Sequence, residues 1–535
     1  MKRLVVLIPI FFSLFSATAQ YNCWIQFANK RGTTGSLSNP SAYLSAQSLA
    51  RRAKQQINID STDLPVSNTY VQAVLQQGAT LKSRSRWLNG VTVILPDTIL
   101  LAVFRAMSFV KNVELTLTPA GYKLAAPSKT PEMPAMISDT YGNAATQIDM
   151  HNGRKLHAAG FRGKGMVIGV LDAGFYQTDQ ISVFDSLRLQ NRLLGTQDFA
   201  DPSVSFFSNT ESHGTSVLST MAADLPDQMI GTAPDASYWL IRTEYSPTEY
   251  LVETDNWVAG LEFADSVGVD IINSSLGYTE FDNSAMNYTY QTLNGRTSRA
   301  SIAATMAARK GMIVVNSAGN EGNKTWHYIS VPADADSILT VGAVDYSGAH
   351  VYFSGYGPTA DGRIKPDVCA VGYQTVIASS ANTITTGNGT SFSSPVMAGL
   401  VACVWQALPS FTNIQIINLF KQYSTQYSSP DNTLGYGIPD VYALYKNNVV
   451  STSLGSEQQS KGSVYFADGT LRIDNLEKVT MPAIVTLYVQ TGQKLAEWKI
   501  QSVPAQFNVS GLPSGFYVLT VANSQSLEVY KLIKH

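Results

Sequence analysis

Apolar and polar positions change rhythm several times along the chain. An almost wholly apolar run from Leu4 to Phe15 follows Lys2 and Arg3 and ends at the small residues Ala17-Thr18-Ala19. From Tyr21 to about Tyr122 helical periodicity mixes with short strand-like runs, as in Thr69 to Leu75 and then Gly90-Val91-Thr92-Val93-Ile94-Leu95, which predicts a small α+β unit. Residues 124–141 lose periodicity and carry Pro127, Pro131 and Pro134, the pattern of an exposed linker. From about 142 to 448 the rhythm becomes apolar strands alternating with helical stretches: Met166 to Leu171, Ala236 to Ile241, Val269 to Asn273 and Met312 to Val315. Strands apolar on both faces predict a mostly parallel sheet covered by helices on both sides. A polar connector from Ser451 to Lys461 precedes short alternating strands over 462–535, with turn signals at Asp468-Gly469 and Thr491-Gly492, read as a small β-sandwich.

The first run is about a dozen residues where a bilayer needs about twenty, so residues 1–19 are expected to be a secretory signal cut after Ala19. Gln20-Tyr21-Asn22 before Cys23 lacks the small apolar residues of a lipidated N-terminus. Composition narrows the function classes. With 37 Lys and Arg against 39 Asp and Glu, the net charge of -2 provides no global field for nucleic acid. Cys23, Cys369 and Cys403 are odd in number and show no Cys-x-x-Cys spacing, so neither a disulfide framework nor a zinc site is expected. Cys403, in Val401-Ala402-Cys403-Val404-Trp405, reads as a small buried hydrophobe.

In open α/β sheets, functional groups collect at the carboxyl ends of the strands. One apolar strand closes on Asp172-Ala173-Gly174, where a carboxylate passes directly into a turn. His213, one of only six histidines, precedes a helix expected over Ser216 to Ala223. Ser391 lies in Gly387-Asn388-Gly389-Thr390-Ser391-Phe392-Ser393-Ser394-Pro395, at the mouth of an apolar helix whose first turn Pro395 would suit. Asn320, in Asn316-Ser317-Ala318-Gly319-Asn320-Glu321-Gly322, follows another strand. Each feature alone has an ordinary structural explanation, a turn or a helix cap. Together they supply a hydroxyl, an imidazole to take its proton, a carboxylate to fix the imidazole, and an amide to bind an oxyanion. Those roles fall to Ser391, His213, Asp172 and Asn320.

These blocks resemble the subtilisin-like serine proteases, in which acid, histidine and serine follow in that chain order. The likeness spans roughly 142–448 and includes Val170-Leu171-Asp172-Ala173-Gly174, His213-Gly214-Thr215, Ala318-Gly319-Asn320-Glu321-Gly322, Gly389-Thr390-Ser391 and Lys365-Pro366-Asp367. It implies that Ser275-Leu276-Gly277 pairs with the substrate backbone and that Ser317-Ala318-Gly319 walls the first specificity pocket. The chain departs from the family pattern at Ser216, where a second histidine is common, at Phe392, and at Ala370-Val371-Gly372. The resemblance further implies that residues 20–141 are an inhibitory propeptide with its linker, 142–448 the catalytic domain, and 449–461 a second linker. By Gly511-Leu512-Pro513-Ser514-Gly515 and Tyr530-Lys531-Leu532-Ile533-Lys534, residues 462–535 resemble a type A sorting domain of the type IX secretion system. The expected protein is a secreted or cell-surface monomer of a Bacteroidetes-like envelope, acting on polypeptides. Its chemistry needs no cofactor, and no Asp-rich loop supports a calcium site. Two rivals are a catalytically inactive subtilase serving as a surface binding protein and an α/β-hydrolase esterase; the latter needs Gly-x-Ser-x-Gly ahead of its acid and histidine, an order this chain lacks.

Overall fold

The computed structural model describes residues 20–118, 139–449, 464–476, 479–489, 493–513, 515–523 and 526–534. The expected leader, most of the first linker, the second linker beyond residue 449 and the Thr491-Gly492 turn lie outside these residues. Two compact units are present, one ending at Lys446 and one beginning at Asn447.

Within the first unit, residues 20–118 form an antiparallel sheet of strands β1 (Tyr21–Phe27), β2 (Thr80–Ser85), β3 (Gly90–Leu95) and β4 (Val110–Leu117), in the order β2-β3-β1-β4. Helices α1 (Ala46–Lys54), α2 (Asn68–Leu75) and α3 (Leu100–Arg105) accompany it. Val71 and Val74 of α2 and Phe104 of α3 share a core with Ile25, Phe27, Val91 and Val93, so alternate strand residues and one helix stripe close on each other.

The larger part of this unit is built on seven parallel strands: β5 (Val167–Asp172), β6 (Leu193–Asp198), β7 (Ser237–Arg242), β8 (Ile271–Ser274), β9 (Ile313–Ser317), β10 (Leu339–Val344) and β11 (Val368–Val371). Their order is β11-β10-β9-β8-β5-β7-β6. From β5 the chain passes to the edge strand β6, returns to β7 between them, and then builds outward through β8, β9, β10 and β11 on the other side. The end of β5 is therefore a topological switch point, where a crevice opens beyond the strand ends. Parallel strands need crossovers, and helices α4 (His213–Ala222), α5 (Leu251–Val267) and α6 (Arg299–Arg309) provide three of them, while α7 (Thr390–Ala407) follows the last strand of the sheet. Leu171, Ile272 and Val314 share a core with Trp257 and Leu261 of α5 and Ala303 and Ala307 of α6. Their strand neighbours Val170, Ile271 and Ile313 are equally buried but point the other way, where α7 packs on β8, β9 and β10. Helix α5 stops at Gly268, whose φ of +92° caps its last turn in a conformation that side chains resist.

The second unit contains two antiparallel sheets around one core. Strands Val464–Ala467, Thr470–Ile473 and Ala505–Asn508 form one; Lys494–Ile500, Ala483–Val489, Gly515–Ala522 and Leu527–Lys534 form the other. Leu471, Ile473, Val485, Leu487, Leu519 and Val521 meet between them. The Asp468-Gly469 signal is a true two-residue turn, with φ of +47° and +71°.

Candidate active site

Asp172 ends β5 fully buried. Its Oδ1 accepts the Ala173 N–H at 2.8 Å and lies 2.7 Å from His213 Nδ1. A carboxylate offers only acceptors, so the proton between them sits on Nδ1 and leaves Nε2 free to accept. Oδ2 is buried and has no hydrogen-bond partner among the described residues. His213 is not ahead of its helix, as the sequence suggests, but is the first residue of α4. Two observations explain the earlier start. Glu211 accepts the N–H groups of Ser212 at 3.0 Å and His213 at 3.1 Å, and Gly214 donates to the Gly174 carbonyl at 2.9 Å. A Cβ on Gly214 would lie 2.6 Å from that carbonyl and 2.9 Å from Asp172 Cβ, so only glycine lets the two segments meet. Burial pulls the His213 imidazole toward its neutral form, but the charge and hydrogen bond of Asp172, helped by Glu211, outweigh it and hold the pKa above the ordinary 6.5.

Ser391 is the second residue of α7 and is 8% exposed. Its hydroxyl donates to the Ser275 carbonyl at 3.3 Å rather than to His213, while the Phe392 ring centroid lies 6.0 Å from that of His213. Pro395 falls beyond the first helical turn expected for it, as the sixth residue of α7. A proline has no N–H, so the carbonyl four residues earlier, that of Ser391, loses its helical donor. The Ser275 hydroxyl takes its place at 2.8 Å. The misplaced proline thus ties the serine-bearing turn to the Ser275–Gly277 segment.

Asn320 is fixed by its oxygen. Oδ1 accepts both the backbone N–H of Thr390 at 2.9 Å and the Thr390 hydroxyl at 3.0 Å, and that hydroxyl accepts the Gly319 N–H at 3.2 Å. The amide nitrogen is left facing the start of α7. A Cβ built on Gly389 would sit 3.5 Å from Asn320 Nδ2 and 3.6 Å from the Ser391 backbone nitrogen, so both nitrogens lie close together at the start of α7. The free N–H groups at a helix N-terminus add to the attraction for developing negative charge.

Except for the fully buried Asp172, which reaches the site only through His213, these groups open on one cleft of about 440 Å³, which His213, Ser391, Asn320, Ser275, Leu276, Gly277, Ser317 and Gly319 line. Ala318 does not line it; its side chain is buried in the core shared with α5 and α6, because successive residues of an extended segment point to opposite sides. Sequence reasoning missed Ser330 and Glu244, which also border the cleft. Glu244 follows the end of β7 and could have been found by the same strand-end rule, but no glycine marks it.

The profile of the peptidase S8 subtilase family matches residues 163–437. The chain belongs to the subtilase family. It is a subtilisin-like serine endopeptidase, and a peptidase S8 propeptide domain of Bacteroidota matches residues 22–131. Subtilisin DY of Bacillus licheniformis is similar at 29% identity, over 51% of this chain and 88% of its own. Subtilisin BL of Lederbergia lenta is 30% identical over 54% of this chain and 93% of its own. Among solved structures, MycP1 from the ESX-1 type VII secretion system is similar at 19% identity with a TM-score of 0.47, covering 61% of this chain and 91% of that one.

The propeptide domain docks on α5 through buried charge. Asp265 receives Arg51, Arg52 and Arg86, and Arg52 also meets Asp63 at 2.9 Å. Glu262 accepts the N–H groups of Arg86 at 2.8 Å and Trp87 at 3.1 Å and the Ser85 hydroxyl. Asp255 accepts the Thr92 hydroxyl at 3.1 Å and pairs with Arg299.

Proposed function

We propose that this subtilase cleaves polypeptides through an acyl-enzyme on Ser391, with His213 as proton carrier and Asp172 as its orienting carboxylate. The observation that carries the reading is the 2.7 Å Asp172–His213 bond, opening on the cleft that also holds Ser391 and the Asn320 amide. As substrate settles, the Ser391 hydroxyl leaves the Ser275 carbonyl and passes its proton to His213 Nε2; the oxygen attacks the scissile carbonyl. The oxyanion is held by Asn320 Nδ2 and the Ser391 N–H, and His213 then protonates the leaving amine. Water repeats the steps in reverse order to release the acid. Side chains and backbone donors carry all of this without a cofactor.

The precursor is inactive in this reading, with residues 20–118 held on α5 until removed, and the leader and the C-terminal β-unit direct export by a type IX route to the medium or the cell surface. The Bacteroidota propeptide match supports that assignment. Ser391→Ala should abolish fluorophosphonate labelling and reduce casein cleavage to background; retained labelling refutes the assignment. N-terminal sequencing and intact mass of the secreted protein test the processing, and full activity with Tyr21 still attached contradicts it.

A further inference from the structure

The active-site cleft carries more carboxyl groups than its chemistry uses. Glu211, Glu244, Glu249, Glu253 and Glu321 line it, and among the described residues no Lys or Arg does, in a chain whose net charge is only -2. Carboxylate oxygens of Glu244, Glu249 and Glu253 all lie within 4.8 Å of one another. Glu244 and Glu253 are 6% and 2% exposed and enter no ion pair among the described residues. Two further facts, independent of these acids, mark the cavity as one built for a ligand. Asn320 and Ser391 converge on it, and the Ser330 hydroxyl, on a residue 2% exposed, has no hydrogen-bond partner among the described residues. A Cβ on either Gly277 or Gly319 would collide with that hydroxyl, so it points between the two glycines that border the cleft.

Resting on the proposed role of Ser391, we infer that this subtilase selects peptides bearing Lys or Arg within about four residues of the cleaved bond, on the side bound along Ser275–Gly277. The geometry gives the register. Ser275 touches Ser391, and three residues on, the Tyr278 hydroxyl donates to Glu244 at 2.6 Å. At about 3.3 Å per residue, extended backbone from Ser275 to Tyr278 spans roughly 10 Å, about three substrate residues, and Glu244 meets the side chain at the far end of that span. A long cationic side chain can lay its methylenes on the rim and its head between the acids.

The groups facing Glu244 make a cation welcome. Around it stand Tyr278 and Thr243 as hydroxyl donors, Asp172 as a like charge, Glu249, Glu253, whose carboxyl burial and then Glu244 push well above its ordinary value and toward the neutral form, and Arg242, which is already held by Asp198 at 3.0 Å. Burial first, then the neighbouring Asp172 charge, push the Glu244 pKa up to about 7 against the pull of those hydroxyls and of Arg242. A bound guanidinium or ammonium reverses that repulsion, and the preference should strengthen as pH rises through about 7 and the carboxylate forms.

The test compares matched fluorogenic peptides carrying Arg or its neutral isostere citrulline at each of the four positions preceding the cleaved bond, with processed wild type, Glu244→Gln and Glu249→Gln, in EDTA. The expected result is an Arg-to-citrulline ratio in kcat/KM of at least about tenfold at one position or more, falling toward unity in the variants. Raising NaCl from 0.05 to 0.5 M should erode the ratio in wild type alone, a readout that survives if a variant fails to fold. A ratio near one at all four positions overturns the inference, as does a ratio that Glu244→Gln and Glu249→Gln both leave unchanged. Fluorophosphonate labelling of wild type is read in parallel: labelling without cation preference sinks only this inference, whereas absent labelling sinks the Ser391 assignment.

Discussion

The hydroxyl of Thr390 gives the sharpest test of how the oxyanion site is held. It makes two bonds, one donated to Asn320 Oδ1 at 3.0 Å and one accepted from the Gly319 N–H at 3.2 Å. Thr390→Val keeps the shape and removes both. The second bond to Asn320, from the Thr390 backbone at 2.9 Å, survives, so the amide is loosened rather than lost. One net hydrogen bond is worth about 1 kcal/mol and the stranded Gly319 N–H about as much again, so transition-state stabilisation should fall by about 1–2 kcal/mol. That is roughly a five- to thirtyfold loss in kcat with little change in KM, because the oxyanion exists only after attack. Asn320→Ala removes the donor itself, and the corresponding loss in subtilisin, a relative, is about 10²–10³ in kcat. Steady-state kinetics on one chromogenic peptide, with active sites counted by fluorophosphonate, separate the cases. The reasoning fails if Thr390→Val raises KM with kcat intact, or if Asn320→Ala is no slower than Thr390→Val.

Three other outcomes follow from neighbouring contacts. Because His213 must be neutral to accept a proton, kcat/KM should fall as pH drops through an inflection above 6.5; Glu211→Gln, which removes one of the charges raising it, should move that inflection down in a pH–rate profile. Asp367 is buried, yet Lys365 and Lys421 overcome the cost of burial and lower its pKa to about 2. A depressed carboxylate stabilises the fold above its unfolded value of 3.8 and loses that contribution as pH falls through about 2, worth about 2 kcal/mol; urea unfolding of Ser391→Ala should show it, with Asp367→Asn costing more, about 3–5 kcal/mol at pH 7, since the buried Lys365 then keeps only the Thr340 hydroxyl and no counter-charge. Pro395→Ala restores an N–H that competes with Ser275 for the Ser391 carbonyl, and KM for peptides should rise about threefold to tenfold as the Ser275–Gly277 rim loosens.

Asp172, His213, Asn320 and Ser391 were legible because each stands where a regular element begins or ends beside a glycine. Such positions are set by local backbone geometry, which short sequence blocks encode. The parallel sheet was legible for a similar reason: its strands, buried on both faces, leave unbroken apolar runs such as Val167 to Leu171. Pro395 was misread because rules for helix starts place proline in the first turn, while here a hydroxyl from a segment more than a hundred residues away replaces the missing donor. Ser330 carries no local mark at all; its meaning comes from two glycines of other segments closing around it.

The acids of α5 show the deeper limit. Asp255, Glu262 and Asp265 recur at helical spacing, the pattern of a face turned to water, and their neighbours in sequence give no reason to think otherwise. All three are buried, because arginines, hydroxyls and backbone donors some 160 to 215 residues upstream, joined at Asp255 by Arg299 downstream, fold over them. The pattern still states something true. Replacing such pairs with well-packed apolar groups of similar volume is commonly neutral or stabilising, so strength alone does not explain charge at this contact. Under the proposed processing, a face that is covered in the precursor and stands bare in water once residues 20–118 are gone has to be polar in both states. An apolar α5 would hold the propeptide as well and then expose a patch prone to association. The hydrophilic rhythm of α5 therefore suits the protein after the proposed processing, and its arginine partners suit it before.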